Sequence, residues 1–518
     1  MKRLFQILAA ASLALSLGAS MTGCAPSAKM ANPTGKYAPE ALQKDFDLMQ
    51  EVLEKFHPSL YWYTSKPEMD SIFKTYRGAI RDSMTQQQFG FSVIAPVTTS
   101  IRCGHTSFSY SKSLTRLFRG AQLPSFPLYL KIWKDTMVVI ENRFRKDSIF
   151  KRGTLVTSVN GMDAQRLTEV MFRYMPTDGY AQNINYIRLS AAFPFYHRNI
   201  FGLSREYTVS YLDSLGQAHA TKVPLFQPGM DTLSVRKARP AGTVPVKKIS
   251  RKERLLDTRS LQLDSLGKTA VMNLESFDNG YQLKKFYRQS FRTLHKKGIG
   301  HLVIDIRNNG GGKVDNYTAL SRYLKDRSFR VADTAFALRN NFRGYGRYFQ
   351  ANSLNWVAMK VFARKRPDGT YHFRYWEKHV FKPRRKHHFD GQVYLVISGP
   401  TFSASTLFCN TMKGQSNVTL VGEETGGGAY GNSGLIIPYV TLPHTGIRVR
   451  MPLFRLVQFQ DAPKTGRGVT PDVYVGPTVD AVTRGKDLKM EMVRNLIRDS
   501  REMAGTQSRA KDSLRYTH

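Results

Sequence analysis

Cysteine is scarce in this chain: three residues in 518, at positions 24, 103 and 409. That excludes a disulfide-rich scaffold. If Cys24 is consumed elsewhere, Cys103 and Cys409 are too few for a four-cysteine zinc site. They leave room for one disulfide in an oxidising compartment, beside the plainer expectation of two buried free thiols. Long apolar runs are also missing: beyond the first twenty or so residues nothing is long and apolar enough to cross a bilayer. Acidic residues are outnumbered, with 39 Asp and Glu against 77 Lys and Arg, a formal charge of +38. Such an excess points towards nucleic acid or an anionic surface. The charges are not gathered into one arm or helix, however. No helix-turn-helix, zinc-finger spacing or aromatic RNA-binding signature accompanies them. Nucleic acid is therefore not an expected partner, and anionic lipid or cell-envelope polymer fits better. Neither a cofactor motif nor a metal-ligand spacing is found, so no cofactor and no metal is expected.

What the chain has is enough apolar residues, 41%, to fold as globular protein, and enough length for two or three domains. Its first residues give an address. Lys2 and Arg3 precede an apolar run from Leu4 to Leu17, and small residues follow. This is the pattern of a signal peptide. The segment Met21-Thr22-Gly23-Cys24 resembles a bacterial lipoprotein cleavage site, with Cys24 as the lipidated residue. A lipid-anchored protein of a bacterial cell envelope, facing the periplasm or the exterior, is the expectation. Residues 25–36, rich in Ala, Pro, Ser, Lys and Gly, read as a tether.

Beyond the tether, Leu42, Phe46, Met49, Val52, Leu53 and Phe56 recur at helical spacing. Further helices are expected over 68–82 and from about Thr85, so residues 37–123 form a helical N-terminal unit. Residues 124–226 look β-rich. They carry strands at 128–132 and 136–140, then a strand running into Asn160-Gly161 and an amphipathic stretch from Ala164 to Tyr174. That order resembles a PDZ-like domain, and a generic hairpin with a packed helix is the alternative. Residues 227–266 are polar, basic and aperiodic, and read as a linker. From 267 to the end, strands at 270–274, 301–306, 393–397 and 418–421 alternate with helices at 282–296, 316–324 and 404–412. Alternation of this kind implies an α/β core with a largely parallel sheet. A basic, aromatic stretch over 341–389 interrupts it, as an insertion near the site.

Three segments carry chemistry. Asp305-Ile306-Arg307-Asn308-Asn309-Gly310-Gly311-Gly312 follows a buried strand. Its glycines can turn backbone N–H groups towards a phosphate or an oxyanion. The missing Gly-Lys-Ser/Thr ending excludes a Walker loop. The second segment, Gly399-Pro400-Thr401-Phe402-Ser403-Ala404-Ser405-Thr406, places a Ser between a strand and a helix. There it is either a nucleophile or an ordinary N-cap. The third is Gly104-His105-Thr106, where a lone His is more often structural than catalytic.

Taken in order, these segments resemble the tail-specific, or C-terminal-processing, serine peptidases and their relatives, the tricorn core protease and interphotoreceptor retinoid-binding protein. Val421-Gly422-Glu423-Glu424-Thr425-Gly426-Gly427 and Gly468-Val469-Thr470-Pro471-Asp472 extend the resemblance to nearly the whole mature chain. It implies a crotonase-like or ClpP-like core and a peptidase acting on peptides or unstructured protein tails. The processing branch uses a Ser–Lys dyad, but its Lys position falls near Gly428 here. The tricorn-like branch uses an N-terminal His, matched by His105. The resemblance therefore implies Ser403 as nucleophile, His105 as general base, and Ala404, Gly310 and Gly311 as oxyanion donors. The family's orienting Glu falls near Thr465. Asp461 is the expected substitute, with Thr465, Glu423, Glu424 or a backbone carbonyl as alternatives. Loss of that carboxylate leaves a non-catalytic binding protein on the same fold as the competing reading.

Overall fold

The computed structural model describes residues 32–229, 250–264, 268–350, 353–459 and 465–515. Cys24 and Asp461 lie outside the described residues. Among those residues no helix is long and apolar enough to cross a membrane.

The N-terminal unit follows the apolar periodicity. A helix over Pro39–Phe56 buries Leu42, Phe46, Met49, Val52, Leu53 and Phe56 on one stripe. A second, Lys66–Gly78, starts at a capping box in which Ser65 and Glu68 satisfy each other's backbone N–H groups. Thr85 and Gln88 repeat the device for a third helical run. That run passes through a π-helical turn at Gly90–Ile94 and ends at Ser100. The unit is fastened to the far end of the chain by Asp45. This fully buried carboxylate accepts hydrogen bonds from the backbone N–H groups of His444 and Thr445 and from Thr445 Oγ1.

A five-stranded antiparallel sheet follows, with strands Leu128–Trp133, Thr136–Asn142, Leu155–Val159, Glu206–Leu212 and Ala218–Pro224 side by side in chain order. The helix Ala164–Met171 and a longer one over Asn183–Phe201 close its core, with Leu189 and Phe193 packing on Phe126 and Tyr207. The longer helix was not legible in the sequence. Pro194 sits in its middle, and the chain kinks at Ala192 to accommodate the ring.

The α/β core is a six-stranded sheet. Strands Val473–Tyr474, Val418–Gly422, Gln392–Ile397, His301–Asp305 and Thr269–Leu274 run parallel in that spatial order. Helices Leu283–Lys296, Val314–Leu324 and Ala404–Met412 cover one face. The C-terminal helix Leu488–Arg515 covers the other through Val493 and Ile497. Residues 251–264, expected as linker, instead form a helix, Arg251–Thr258, and a strand, Arg259–Asp264, that pairs antiparallel with Thr269–Leu274. As an edge strand it leaves half its residues exposed, so its sequence lacks the apolar signature of a central strand.

The stretch expected as an insertion contributes to a second antiparallel sheet, in which Tyr371–His372 pairs with Ala332–Ala337. Its rings also hold the N-terminal unit: Phe342 and Phe349 pack against Phe56, at centroid distances of 5.9 and 5.1 Å.

Candidate active site

The Ser403 side of the site is built locally. Strand Gln392–Ile397 ends in a turn tied back to the neighbouring strand. Thr401 Oγ1 donates to the carbonyl of Ile306 at 3.0 Å, and Phe402 N donates to that of Asn309 at 3.1 Å. The next residue, Ser403, has φ 55° and ψ −122°, a left-handed backbone that a side chain disfavours. Its hydroxyl makes no capping bond to the helix Ala404–Met412 that starts beside it. The ordinary reason for a Ser at a helix start is therefore absent, and the side chain is held in a strained, outward position.

The glycine loop presses against this elbow. A Cβ on Gly311 would stand 2.7 Å from Ser403 Cβ and 3.0 Å from the Ala404 nitrogen, and its φ is 104°. Only glycine fits. The buried Asn309 side chain locks the loop, donating to the Leu274 carbonyl and accepting from Gly311 N at 2.9 Å. The Gly311 N–H is thus turned to Asn309 rather than offered to a ligand. Gly312 joins Ser403 and Ala404 in lining a cavity of about 280 Å³, with Leu407, Leu435 and Phe454 on its apolar wall. Phe373 and Trp376, from the aromatic stretch expected near the site, also line it.

The His105 side is assembled from remote parts. Ser107–Ser109 pairs antiparallel with Arg448–Arg450, which anchors the segment to the core. Gly104 touches the Phe402 ring, where a Cβ would come within 2.7 Å of Cζ. The His105 ring lies 4.8 Å from the same ring, centroid to centroid. Its Nε2 and the Ser403 hydroxyl both border Gly434: a Cβ on that glycine would stand 2.8 Å from Oγ and 2.9 Å from Nε2. No hydrogen bond joins them, and both ring nitrogens are buried without a partner.

Behind His105 stands Asp178. Its Oδ1 lies 3.6 Å from His105 Nδ1 and accepts from Gly104 N at 2.7 Å. The side chain is 3% exposed. Gly179 N donates to the Arg102 carbonyl, and Tyr180 N to that of Gly466, so the Asp178 turn is clamped between the His segment and the closing loop. Burial alone would lower the His105 pKa; the Asp178 carboxylate, helped by Cys103, raises it to about 9. Burial would likewise raise the Cys103 thiol, but the neighbouring His105 and His57 imidazoles bring it down to about 6. Cys103 and Cys409 are both unpaired and buried.

Sequence reasoning missed Asp178, Gly434 and Asn309. Asp178 sits in Pro176-Thr177-Asp178-Gly179, which reads as any polar turn. Of the other carboxylates considered for that place, Asp461 lies outside the described residues and two have partners elsewhere. Glu423 binds Lys489 and Ser398, and Glu424 accepts from Gly468 N. Thr465 Oγ1 accepts from Arg467 N. A larger cavity, about 690 Å³, lies between the N-terminal unit and the antiparallel sheet, lined by Phe91, Phe108, Tyr110 and Phe195. It holds neither Ser403 nor His105.

Comparison with known proteins bears on the core and on the fold. Residues 268–475 match the model of peptidase family S41. Two solved structures superpose over most of the chain. Mature CPAF complexed with lactacystin is 13% identical, covering 90% of this chain and 99% of that one, with a TM-score of 0.60. A second structure of mature CPAF, also 13% identical, covers 86% and 94%, with a TM-score of 0.57. At that identity the likeness is one of fold. No curated protein matches the sequence.

Proposed function

We propose, from a core over residues 268–475 that matches the model of peptidase family S41, that this chain is an exported, lipid-anchored serine peptidase using Ser403, His105 and Asp178. The Ser403 hydroxyl attacks the scissile carbonyl as its proton passes to His105 Nε2. Asp178 orients the ring through Nδ1 and stabilises the imidazolium that forms. His105 then returns the proton to the leaving amine, and water resolves the acyl-enzyme by the same route. The oxyanion is received by the N–H groups of Ala404 and of the Gly310–Gly312 turn, with Gly312 favoured over Gly311 because the Gly311 N–H is committed to Asn309.

The observation that carries this reading is the strained Ser403 elbow, whose hydroxyl borders Gly434 together with His105 Nε2, with Asp178 behind the ring. The apolar wall of the Ser403 cavity favours a peptide with an aliphatic or aromatic side chain beside the cleaved bond. Labelling by a fluorophosphonate, which reacts with activated serines, tests the mechanism. The native chain labels and Ser403→Ala does not. Equal labelling of both would end the proposal and leave a binding protein on this fold. The anchor rests on Lys2, Arg3, the apolar run and Cys24. Fatty-acid incorporation in cells, lost in Cys24→Ser, tests it separately.

A further inference from the structure

The His105 pocket contains more unfulfilled chemistry than proton transfer uses. The Cys103 sulfur, a His105 ring nitrogen and an Asp178 oxygen all lie within 4.8 Å of one another, and all three side chains are buried. His105 Nδ1 and Nε2 and Asp178 Oδ2 have no hydrogen-bond partner. Tyr63 Oη, also buried, has none either. It shares the neighbourhood of Gly428 with Asp178: a Cβ on that glycine would be 3.5 Å from Asp178 Cβ and 3.8 Å from Tyr63 Oη. Buried polar atoms left unpaired cost about 1–3 kcal/mol each. Several in one place signal an occupant.

We propose that Cys103, His105 and Asp178 bind a zinc-like divalent cation, and that this cation silences the peptidase by occupying its base. The donor set decides the chemistry. A sulfur, an imidazole and one carboxylate suit a borderline-soft metal, whereas calcium and magnesium take oxygen ligands. The geometry is close. Two ligands on one tetrahedral zinc stand about 3.3–3.8 Å apart, given bonds of about 2.0–2.3 Å. The His105 Nδ1 to Asp178 Oδ1 separation is 3.6 Å. The widest separation in the trio needs only a side-chain adjustment of about 1 Å to reach that range. Cys103 binds as thiolate and His105 as neutral imidazole, so the proton that this pair holds leaves to solvent as the metal enters. A water completes the tetrahedron. The metal-binding claim stands apart from the peptidase reading; only the silencing rests on it.

The sequence signals nothing of this. The spacing Cys103-Gly104-His105 has no metal signature, and Asp178 arrives from another part of the chain.

The test uses the full chain stripped of metal and titrated with Co²⁺. One equivalent should produce a thiolate-to-cobalt charge-transfer band with the intense visible bands of tetrahedral cobalt, and Zn²⁺ should displace it. Cys103→Ser should lose the band and Cys409→Ser should keep it. X-ray absorption at the zinc edge of the native chain, which depends on no variant, should find one sulfur at about 2.3 Å. Zn²⁺ should inhibit peptide turnover, and its inhibition constant should rise at least tenfold in Cys103→Ser, each variant measured against its own metal-free rate. No band at stoichiometric cobalt and no sulfur around zinc would overturn the proposal and leave water as the occupant. Zinc inhibition of equal strength in Cys103→Ser would overturn the silencing. A chain with no turnover and no fluorophosphonate labelling, yet with the cobalt band, would instead sink the peptidase reading alone.

Discussion

The two halves of the site are built in opposite ways. Ser403 is placed by its own strand, turn and helix, with the Asn309–Gly312 loop of the adjacent strand locked against it. The turn and the loop there are held by hydrogen bonds and by approaches too close for a Cβ. His105 is placed by segments far apart in sequence: the 102–106 turn, the Thr177–Gly179 turn, the Arg448–Arg450 strand and the loop at Gly466. That half leaves its buried nitrogens unpaired. Ser403 is thus fixed by local geometry and backbone strain, His105 by long-range packing. In the proposed mechanism, a ring with unpaired nitrogens keeps the freedom to meet Ser403 when substrate arrives, as apo sites often require.

Substitutions on the two sides sharpen or break that contrast. The largest effect is expected at Ser403→Ala, with turnover down by about 10⁶ and the fold unchanged, since no contact of the hydroxyl supports the helix. A residual rate above one-hundredth of native would move the nucleophile elsewhere.

Asp178→Asn should lower kcat by about 10⁴ if the carboxylate orients the base. Its second signature is a pH profile. His105 must be neutral to accept the Ser403 proton, and Asp178 raises its pKa to about 9. The imidazole is therefore protonated below that value, and native kcat/KM should climb with pH towards about 9. Removing the carboxylate's charge should move the midpoint to lower pH. An unmoved midpoint in Asp178→Asn would make Asp178 a mere clamp for Gly104.

Gly434→Ala tests the space between the halves. Its methyl would stand within 3 Å of both Ser403 Oγ and His105 Nε2. Turnover should fall by at least about 100-fold, on the scale of misplacing a catalytic pair by about 1 Å. The thermal midpoint should shift little, because Gly434 is a cavity-lining loop residue. Near-native turnover would show that the two groups meet by another path.

The smallest catalytic effect, with a stability effect instead, is expected at Asp45→Ala. It removes the acceptor of two backbone N–H groups and Thr445 Oγ1. Stability should drop by about 1–3 kcal/mol, seen in urea unfolding. The folded fraction should keep its kcat, because Asp45 touches neither reacting group. A loss of kcat larger than the loss of folded protein would mean that the N-terminal unit tunes His105 directly.

The contrast also explains what was legible beforehand. The parallel core could be read because strands 270–274, 301–306, 393–397 and 418–421 are mostly apolar and alternate with amphipathic helices, a pattern set by neighbours in sequence. The Ser403 elbow and the glycine loop carry local signatures for the same reason. Residues 251–264 escaped because an edge strand half open to water needs no apolar pattern. The helix Asn183–Phe201 escaped because Pro194 argues against a helix, and only packing against Phe126 and Tyr207 outweighs it.

By itself, then, the sequence determined the elements whose physics is short-range: apolar periodicity, capping boxes at Ser65 and Thr85, glycines where no Cβ fits. It also determined that Ser403 would open a helix after a buried strand. Only the tertiary structure decided which carboxylate stands behind His105. Asp178 lies 73 positions from it in the chain, and a charge at 3.6 Å acts through space with no trace in either residue's neighbours. The same holds for the Cys103–His105–Asp178 cluster, because burial and convergence, which give those side chains their chemistry, are properties of the folded chain alone.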